Sequence, residues 1–243
     1  MRIPRIYTAA SLSPGEHALD SRAAHYLGQV LRMKAGRNLV LFNGDGLNYP
    51  AQITEVSKKG VQCRVDPPNA SAEPPPPLFI ELGIAISKGD RMDLVIQKAT
   101  ELGVSRISPL TSERVDVKLS GERLEKKAQH WQQVMISACE QSGRNRLVEL
   151  APLQPLDQWR DNLRSERKLV LHPTAAQRLG GDSPGPASVA LLIGPEGGLT
   201  DDEVQACLNQ GFAGLQLGPR VLRTETAPLA AISILQFCWG DMA

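Results

Sequence analysis

The sequence predicts an α/β protein: a small β-rich domain, then a larger domain built on a mostly parallel sheet. Three observations predict it. Pro67-Pro68-Asn-Ala-Ser-Ala-Glu-Pro74-Pro-Pro-Pro77 packs six prolines into eleven residues, which suits neither a helix nor a central strand. Before it, short strand-like runs are separated by turn signals. After it, near-continuous apolar runs of strand length alternate with helical patterns. The proline stretch reads as an extended spacer and divides the 243 residues into domains 1–73 and 74–243.

In the first domain, Ala24–Met33 has helical spacing, and Arg37–Phe42, Leu47–Val56 and Gly60–Val65 read as strands. Asn43-Gly-Asp-Gly46 and Ser57-Lys-Lys-Gly60 are the turns between them. Several short strands in so small a unit predict a compact β-barrel-like domain. In the second domain, Leu78–Ile86 is a strand, and Asp90–Leu102 is an amphipathic helix capped by Asp90 and stopped by Gly103. Ser105–Leu110 is a strand and Ser120–Cys139 a long helix. A strand-like Leu147–Leu150 follows, and Arg167–Leu171 and Val189–Ile193 are buried-strand runs. Thr200-Asp-Asp-Glu203 is a capping box for a helix that stops near Gly211. Gly214–Leu217 is a short strand and Thr224–Trp239 the last helix. That helix is apolar almost all round from Ala227, so it is buried in a core or against a second copy of the chain.

Composition narrows the function. Apolar residues make up 42%, enough for a real core, while aromatics at 4% disfavour a stacking platform for single strands. Cys63, Cys139, Cys207 and Cys238 are scattered, with no zinc-ligand spacing and no disulfide framework, so no metal is expected. The start lacks the apolar core of a signal peptide and no run is long enough to span a membrane, so a cytoplasmic protein is expected. Residues 1–73 hold nine Lys/Arg and six Asp/Glu, a net of +3, whereas the rest holds 18 and 20, a net of −2. A basic head on a mildly acidic body points to a polyanion partner.

Three strand ends run into unusual loops: Leu171-His172-Pro173, Gly194-Pro195-Glu196-Gly197-Gly198 and Leu217-Gly218-Pro219-Arg220. Ligands of open α/β sheets bind beyond the carboxyl ends of strands. The glycine loop suits close approach of a ligand, and equally a tight strand-to-helix connection. The dinucleotide and P-loop fingerprints are absent, as are the zinc-protease and serine-hydrolase motifs. Glu140-Gln-Ser-Gly-Arg-Asn-Arg146 reads as a phosphate-binding group or as a surface ion-pair network.

The blocks LLIGPEGGLT, LGPRVLRTETA, ACEQSGRNR and KGDRMDLVIQKATELG resemble the ribosomal-RNA uracil-N3 methyltransferase family of the SPOUT class, in its bacterial small-subunit 16S branch. The similarity runs along the whole chain, and the two glycine-proline loops are specific in combination. The resemblance implies a PUA-like barrel followed by a SPOUT domain with a C-terminal trefoil knot, a homodimer, and S-adenosylmethionine as cofactor. By the same analogy the cofactor pocket holds Leu171, His172, Pro173, Gly194, Glu196, Gly197, Leu217, Gly218, Val221, Leu222, Thr224, Thr226 and Ala227.

The target implied is 16S rRNA of the small subunit. Uracil N3 lies on the pairing edge, so the base must be unpaired or flipped out. As its proton leaves, charge builds on the flanking carbonyls, and a fixed cation aimed there lowers the barrier. Arg223 is the first candidate and Arg220 the alternative. Glu196, Glu225 and Glu140 are candidates for the base, with water another; Glu225 reads equally well as a partner for an arginine. Arg2, Arg5, Arg22, Arg32, Lys34, Lys58 and Lys59 are placed on RNA phosphates, with Lys88, Gln141, Arg144 and Arg146 nearer the base. Two rivals remain: the same scaffold acting on another base or ribose oxygen of tRNA or rRNA, and a ribosome-associated RNA-binding module without catalysis.

Overall fold

The computed structural model describes residues 3–58, 60–69, 73–172 and 184–242. Pro173, Arg2 and Lys59, singled out above, lie outside them. The chain divides into two compact units: Met1–Pro75 with Ile136–Leu147, and Pro76–Met135 with Val148–Ala243. The first unit thus takes in a segment, Ile136–Leu147, that a division at residue 73 assigns to the second domain.

The first unit contains β1 (Arg5–Tyr7), β2 (Gly15–Ala18), α1 (Ser21–His25), β3 (Asn38–Phe42), β4 (Tyr49–Ser57) and β5 (Gly60–Val65). The strands form one sheet in the order β1-β3-β4-β5-β2. β1 runs parallel to β3 and the other pairs are antiparallel. β5 alternates buried Val61, Cys63 and Val65 with exposed neighbours, as a strand with one face on the core requires. The core adds Ile6, Leu39, Leu41 and Ile53, with Ala23 and Leu27 from the helical segment. That helix begins earlier than its apolar spacing predicts because Asp20 caps it, Oδ1 accepting from Ala23 N at 2.8 Å. A π-helical turn over Tyr26–Val30 follows, and the helix does not continue to Met33.

The second unit is a parallel sheet with helices on both faces. Its strands are β6 (Phe79–Ala85), β7 (Arg106–Thr111), β8 (Glu149–Leu150), β9 (Gln154–Pro155), β10 (Arg167–Leu171), β11 (Ser188–Ile193) and β12 (Ala213–Leu215). The order is β12-β10-β11-β6-β7-β8, with β9 also on β7. Every pairing is parallel. The helices are α2 (Arg91–Glu101), α3 (Gly121–Ser142), α4 (Leu156–Asn162), α5 (Asp201–Asn209) and α6 (Thr226–Trp239).

Strand periodicity explains the layering. Ile80, Leu82 and Ile84 of β6, Leu169 of β10, and Val189, Leu191 and Ile193 of β11 point to one face. There they meet Met92, Val95 and Ile96 of α2, Trp131 of α3, and Ala231, Ile232 and Leu235 of α6. The alternate residues Val170, Ala190 and Leu192 meet Leu156 and Trp159 of α4, Cys207 of α5 and Phe212. With both faces covered, the strands must be apolar throughout. One buried charge is accommodated locally. Glu81 of β6 is 7% exposed, and its Oε1 accepts from Trp159 Nε1 at 2.7 Å and Ser108 Oγ at 2.8 Å.

Two caps in the second unit show opposite outcomes. Thr200 and Glu203 form the capping box in full. Asp90 precedes α2 in a helical backbone conformation and makes no side-chain cap bond, so the cap expected of it is not formed.

Candidate functional site

The strand order turns three separated sequence loops into neighbours. β12, β10 and β11 lie side by side, so the segments after Leu215, Leu171 and Ile193 emerge from one edge of the sheet. Leu171 and His172, with residues that follow Ile193 and Leu215, line a cavity of about 640 Å³, within the range of roughly 300–1,000 Å³ usual for small-molecule sites.

The sequence-predicted residues Leu171, His172, Gly194, Glu196, Gly197, Leu217, Gly218, Val221, Leu222, Thr224 and Ala227 all line it, as do Arg220, Arg223 and Glu225. Thr226 opens α6 without lining the cavity. Glu140 belongs to the first unit, where it accepts from Tyr7 N at 2.9 Å and pairs with Arg22 at 3.0 Å.

Ile193, Leu199, Leu215 and Leu217 supply apolar wall. Gly218 has φ +83° and open space where a Cβ would stand. The backbone therefore bends in a way only glycine takes freely, and no side chain obstructs the cavity there. Apolar walls next to bare backbone and a few polar groups fit an adenosyl ligand that carries no phosphate.

Two arginines that the strand-end loops did not single out as site residues also line the cavity. Arg91, first in α2, donates from Nη1 to Glu196 Oε1 at 2.9 Å, and its Nε lies 3.9 Å from Glu225 Oε2. It therefore ties the glycine loop to the start of α6. Arg114 follows β7 and donates from Nη1 to the carbonyls of Gly197 at 3.0 Å and Leu199 at 3.3 Å. The signal for both was available: β6 and β7 also end on this edge, so the strand-end rule applies to their loops too.

The carboxylates are not equivalent. Burial pushes the Glu196 carboxyl up, but hydrogen bonds from its own backbone, from Lys88 N and from Arg91 outweigh it and hold the group below the usual range. Glu225 Oε2 also accepts from Thr224 Oγ1 at 3.3 Å. Arg223 is exposed on the cavity wall, with no carboxylate paired to it among the described residues.

Several residues placed on RNA are engaged inside the first unit. Arg5 donates to Asn48 at 2.7 Å and to Asn145, and lies 5.3 Å over the Phe42 ring. Arg22 donates to the carbonyl of Tyr7 at 2.7 Å as well as to Glu140. Arg146 donates from Nε to the Glu73 carbonyl at 3.0 Å, and Arg144 lies 3.9 Å from the Glu73 carboxylate. Arg32, Lys34, Lys58 and Gln141 are exposed. Lys88 pairs with Asp116 at 2.6 Å.

Among the described residues no group of His, Cys, Asp and Glu is arranged to hold a metal. No described helix is long and apolar enough to cross a membrane.

Comparison with known proteins gives a consistent picture. Residues 74–236 match a family model described as an RNA methyltransferase domain, and residues 19–66 one described as an RNA methyltransferase PUA domain. Ribosomal RNA small subunit methyltransferase E of Buchnera aphidicola (subspecies Schizaphis graminum) is 36% identical over 247 residues, covering 100% of this chain and 99% of the relative. Its Bacillus subtilis counterpart is 32% identical over 230 residues, covering 90% and 89%. A Legionella pneumophila protein solved with the bound cofactor SAM superposes with a TM-score of 0.96 at 44% identity, covering 100% of both chains. Ribosomal RNA small subunit methyltransferase E of Neisseria gonorrhoeae, bound to S-adenosyl methionine, gives 0.92 at 38% identity, again over 100% of both.

Proposed function

The chain belongs to the RNA methyltransferase family whose relatives are named ribosomal RNA small subunit methyltransferase E, and from that premise we propose that it methylates N3 of one uridine in 16S rRNA. The observation that carries the reading is the cavity at the ends of β10, β11 and β12, whose lining suits S-adenosylmethionine. Bound there, S-adenosylmethionine supplies an electrophilic methyl group.

The protein's own residues have three tasks. The backbone and apolar side chains of Leu217, Gly218, Val221 and Leu222 hold the adenosyl part, with Leu171, His172, Gly194 and Gly197 across from them. Arg223 faces the carbonyl oxygens of the flipped uracil and stabilises the charge that develops as N3 loses its proton. With no carboxylate paired to it among the described residues, the guanidinium is available for this. Glu196 is committed to Arg91 and Lys88 and serves as an organiser of the glycine loop. Glu225, whose Oε2 lies 3.9 Å from Arg91 Nε, and water remain to take the proton.

The same reading extends to the fold and assembly. A C-terminal trefoil knot is supported by β12 pairing with β10 rather than with β11, its predecessor in the chain. A homodimer through α6 is supported by its outward apolar residues, Phe237 at 65% and Ile234 at 38% exposure. The 1–73 domain serves as the RNA-positioning module, and the cytoplasm is where an rRNA substrate would be met.

The test is methyl transfer from labelled S-adenosylmethionine to small ribosomal subunits and to naked 16S rRNA, both from cells lacking this gene, followed by nucleoside identification. Label on uracil N3 is the expected result. Cofactor binding without label on either substrate refutes the rRNA assignment.

A further inference from the structure

The row of strand ends continues past the cofactor cavity. β6 and β7 follow β11 in the sheet, and the segments leaving them carry Lys88, Arg91 and Arg114. These three cations, with Asp116, Glu196 and Gly197, line a second cavity of about 440 Å³. It shares Arg91, Arg114, Glu196 and Gly197 with the first cavity, and no described residue of the segments after β10 or β12 lines it. The two cavities therefore meet at the glycine loop and at both arginines.

The cations are unequally committed. Arg91 is held by Glu196. Arg114 bonds only main-chain carbonyls through Nη1, and among the described residues no carboxylate pairs with it. A guanidinium has five N–H donors, so most of its hydrogen-bonding capacity stays available. Lys88 and Asp116 form an ion pair in which the side chains are 62% and 72% exposed. So exposed a pair is weak and readily exchanged. An incoming oxyanion can take Lys88 from Asp116 and add Arg114, with little lost inside the protein.

We propose that this second cavity binds a backbone phosphate of the RNA beside the nucleotide being methylated. The proposal rests on the RNA methyltransferase reading above. A polynucleotide brings phosphates next to every base, and Lys and Arg are the residues that position them. The cofactor carries no phosphate, and its carboxylate is the one competing anion. Asp116 occupies Lys88 while RNA is absent and yields it when RNA arrives.

The experiment measures binding of naked 16S rRNA over a potassium chloride series at saturating S-adenosylmethionine, with separate titration of the cofactor. Lys88→Gln removes a phosphate contact; Asp116→Asn removes the competitor. Lys88→Gln is expected to weaken RNA binding and to reduce the slope of log K against log salt by about 0.7, the value for one single-strand phosphate. Asp116→Asn is expected to tighten RNA binding. Both leave cofactor affinity at the wild-type value. If the ion pair were only structural, both variants would shift RNA binding in the same direction, and that outcome overturns the proposal. So does a Lys88→Gln variant that loses cofactor affinity while keeping the RNA slope, because the site would then hold the cofactor's carboxylate. If the variants diverge as stated but the wild type transfers no methyl group to 16S rRNA, the phosphate site stands and the uridine assignment falls.

Discussion

Gly194 is where cofactor binding should be most sensitive to a single added carbon. It follows β11 and opens the glycine loop. A Cβ built there lies 3.0 Å from both Cγ and N of Leu199 and 3.3 Å from the carbonyl carbon of Gly198. Two of those three atoms are main chain, and Leu199 is only 8% exposed, so no flexible side chain can move aside. Overpacking of this kind costs about 1–3 kcal/mol. If the loop shifts to relieve it, the distortion falls on the cavity wall, and the dissociation constant for S-adenosylmethionine rises by about 5- to 140-fold at 1.4 kcal/mol per decade. Gly218→Ala is the contrast: its Cβ meets no protein atom, so the protein itself bears only the left-handed backbone penalty of about 1–2 kcal/mol, and any further loss of affinity is a clash with the cofactor. Isothermal titration with S-adenosylmethionine, paired with thermal unfolding, reads both. Wild-type affinity in Gly194→Ala refutes the reasoning, and a lowered melting temperature with unchanged affinity would place the strain in the core instead of the site.

Three further predictions follow from named contacts. Glu196 is held below the usual carboxylate range in the fold, so it contributes stability above its unfolded pKa that is lost as pH falls through the lowered native value. Arg91→Gln should flatten the acid limb of a melting-temperature series, and an unchanged limb would show that the Arg91–Glu196 bond is not a source of it. Trp159→Phe deprives buried Glu81 of one of its two donors and should cost about 1–3 kcal/mol in urea unfolding; a loss no larger than that of an exposed substitution would count against the Glu81 account. Phe237→Glu places a charge on the outward face of α6 and should give a monomer in sedimentation velocity, whereas a persisting dimer would move the interface elsewhere.

Much of the second unit was legible because its signals are local. The end of β10 at Leu171 follows from an apolar run, Leu169–Leu171, that stops at His172, and the capping box at Thr200 is a contact four residues long. Less was legible where the cause is distant. The short strands β1 and β2 have no apolar run of their own and exist because β3 and β5 pair with them. Asp90 looked like a helix cap from its position, yet its backbone is already helical, so its carboxylate makes no cap bond. Arg5 and Arg22 read as phosphate ligands from charge alone; their bonds to Asn48, Asn145, the Tyr7 carbonyl and Glu140 join residues up to 140 positions apart, which local sequence does not record.

The sequence by itself determined the fold class and the three unusual loops, because periodicity, turn chemistry and loop composition are carried by neighbouring residues; the kind of ligand came from the family those loops resemble. Only the tertiary structure showed what brings those loops together and which other segments join them. The order β12-β10-β11-β6-β7 places segments from residues 88, 114, 171, 194 and 217 along one edge. Strand order arises from the competition of whole faces for burial, and no short stretch of sequence records its outcome. For the same reason Arg91, which sequence placed only in a helix-opening block, and Arg114, unremarkable among 27 basic residues, emerge as the link between the cofactor cavity and its cationic neighbour.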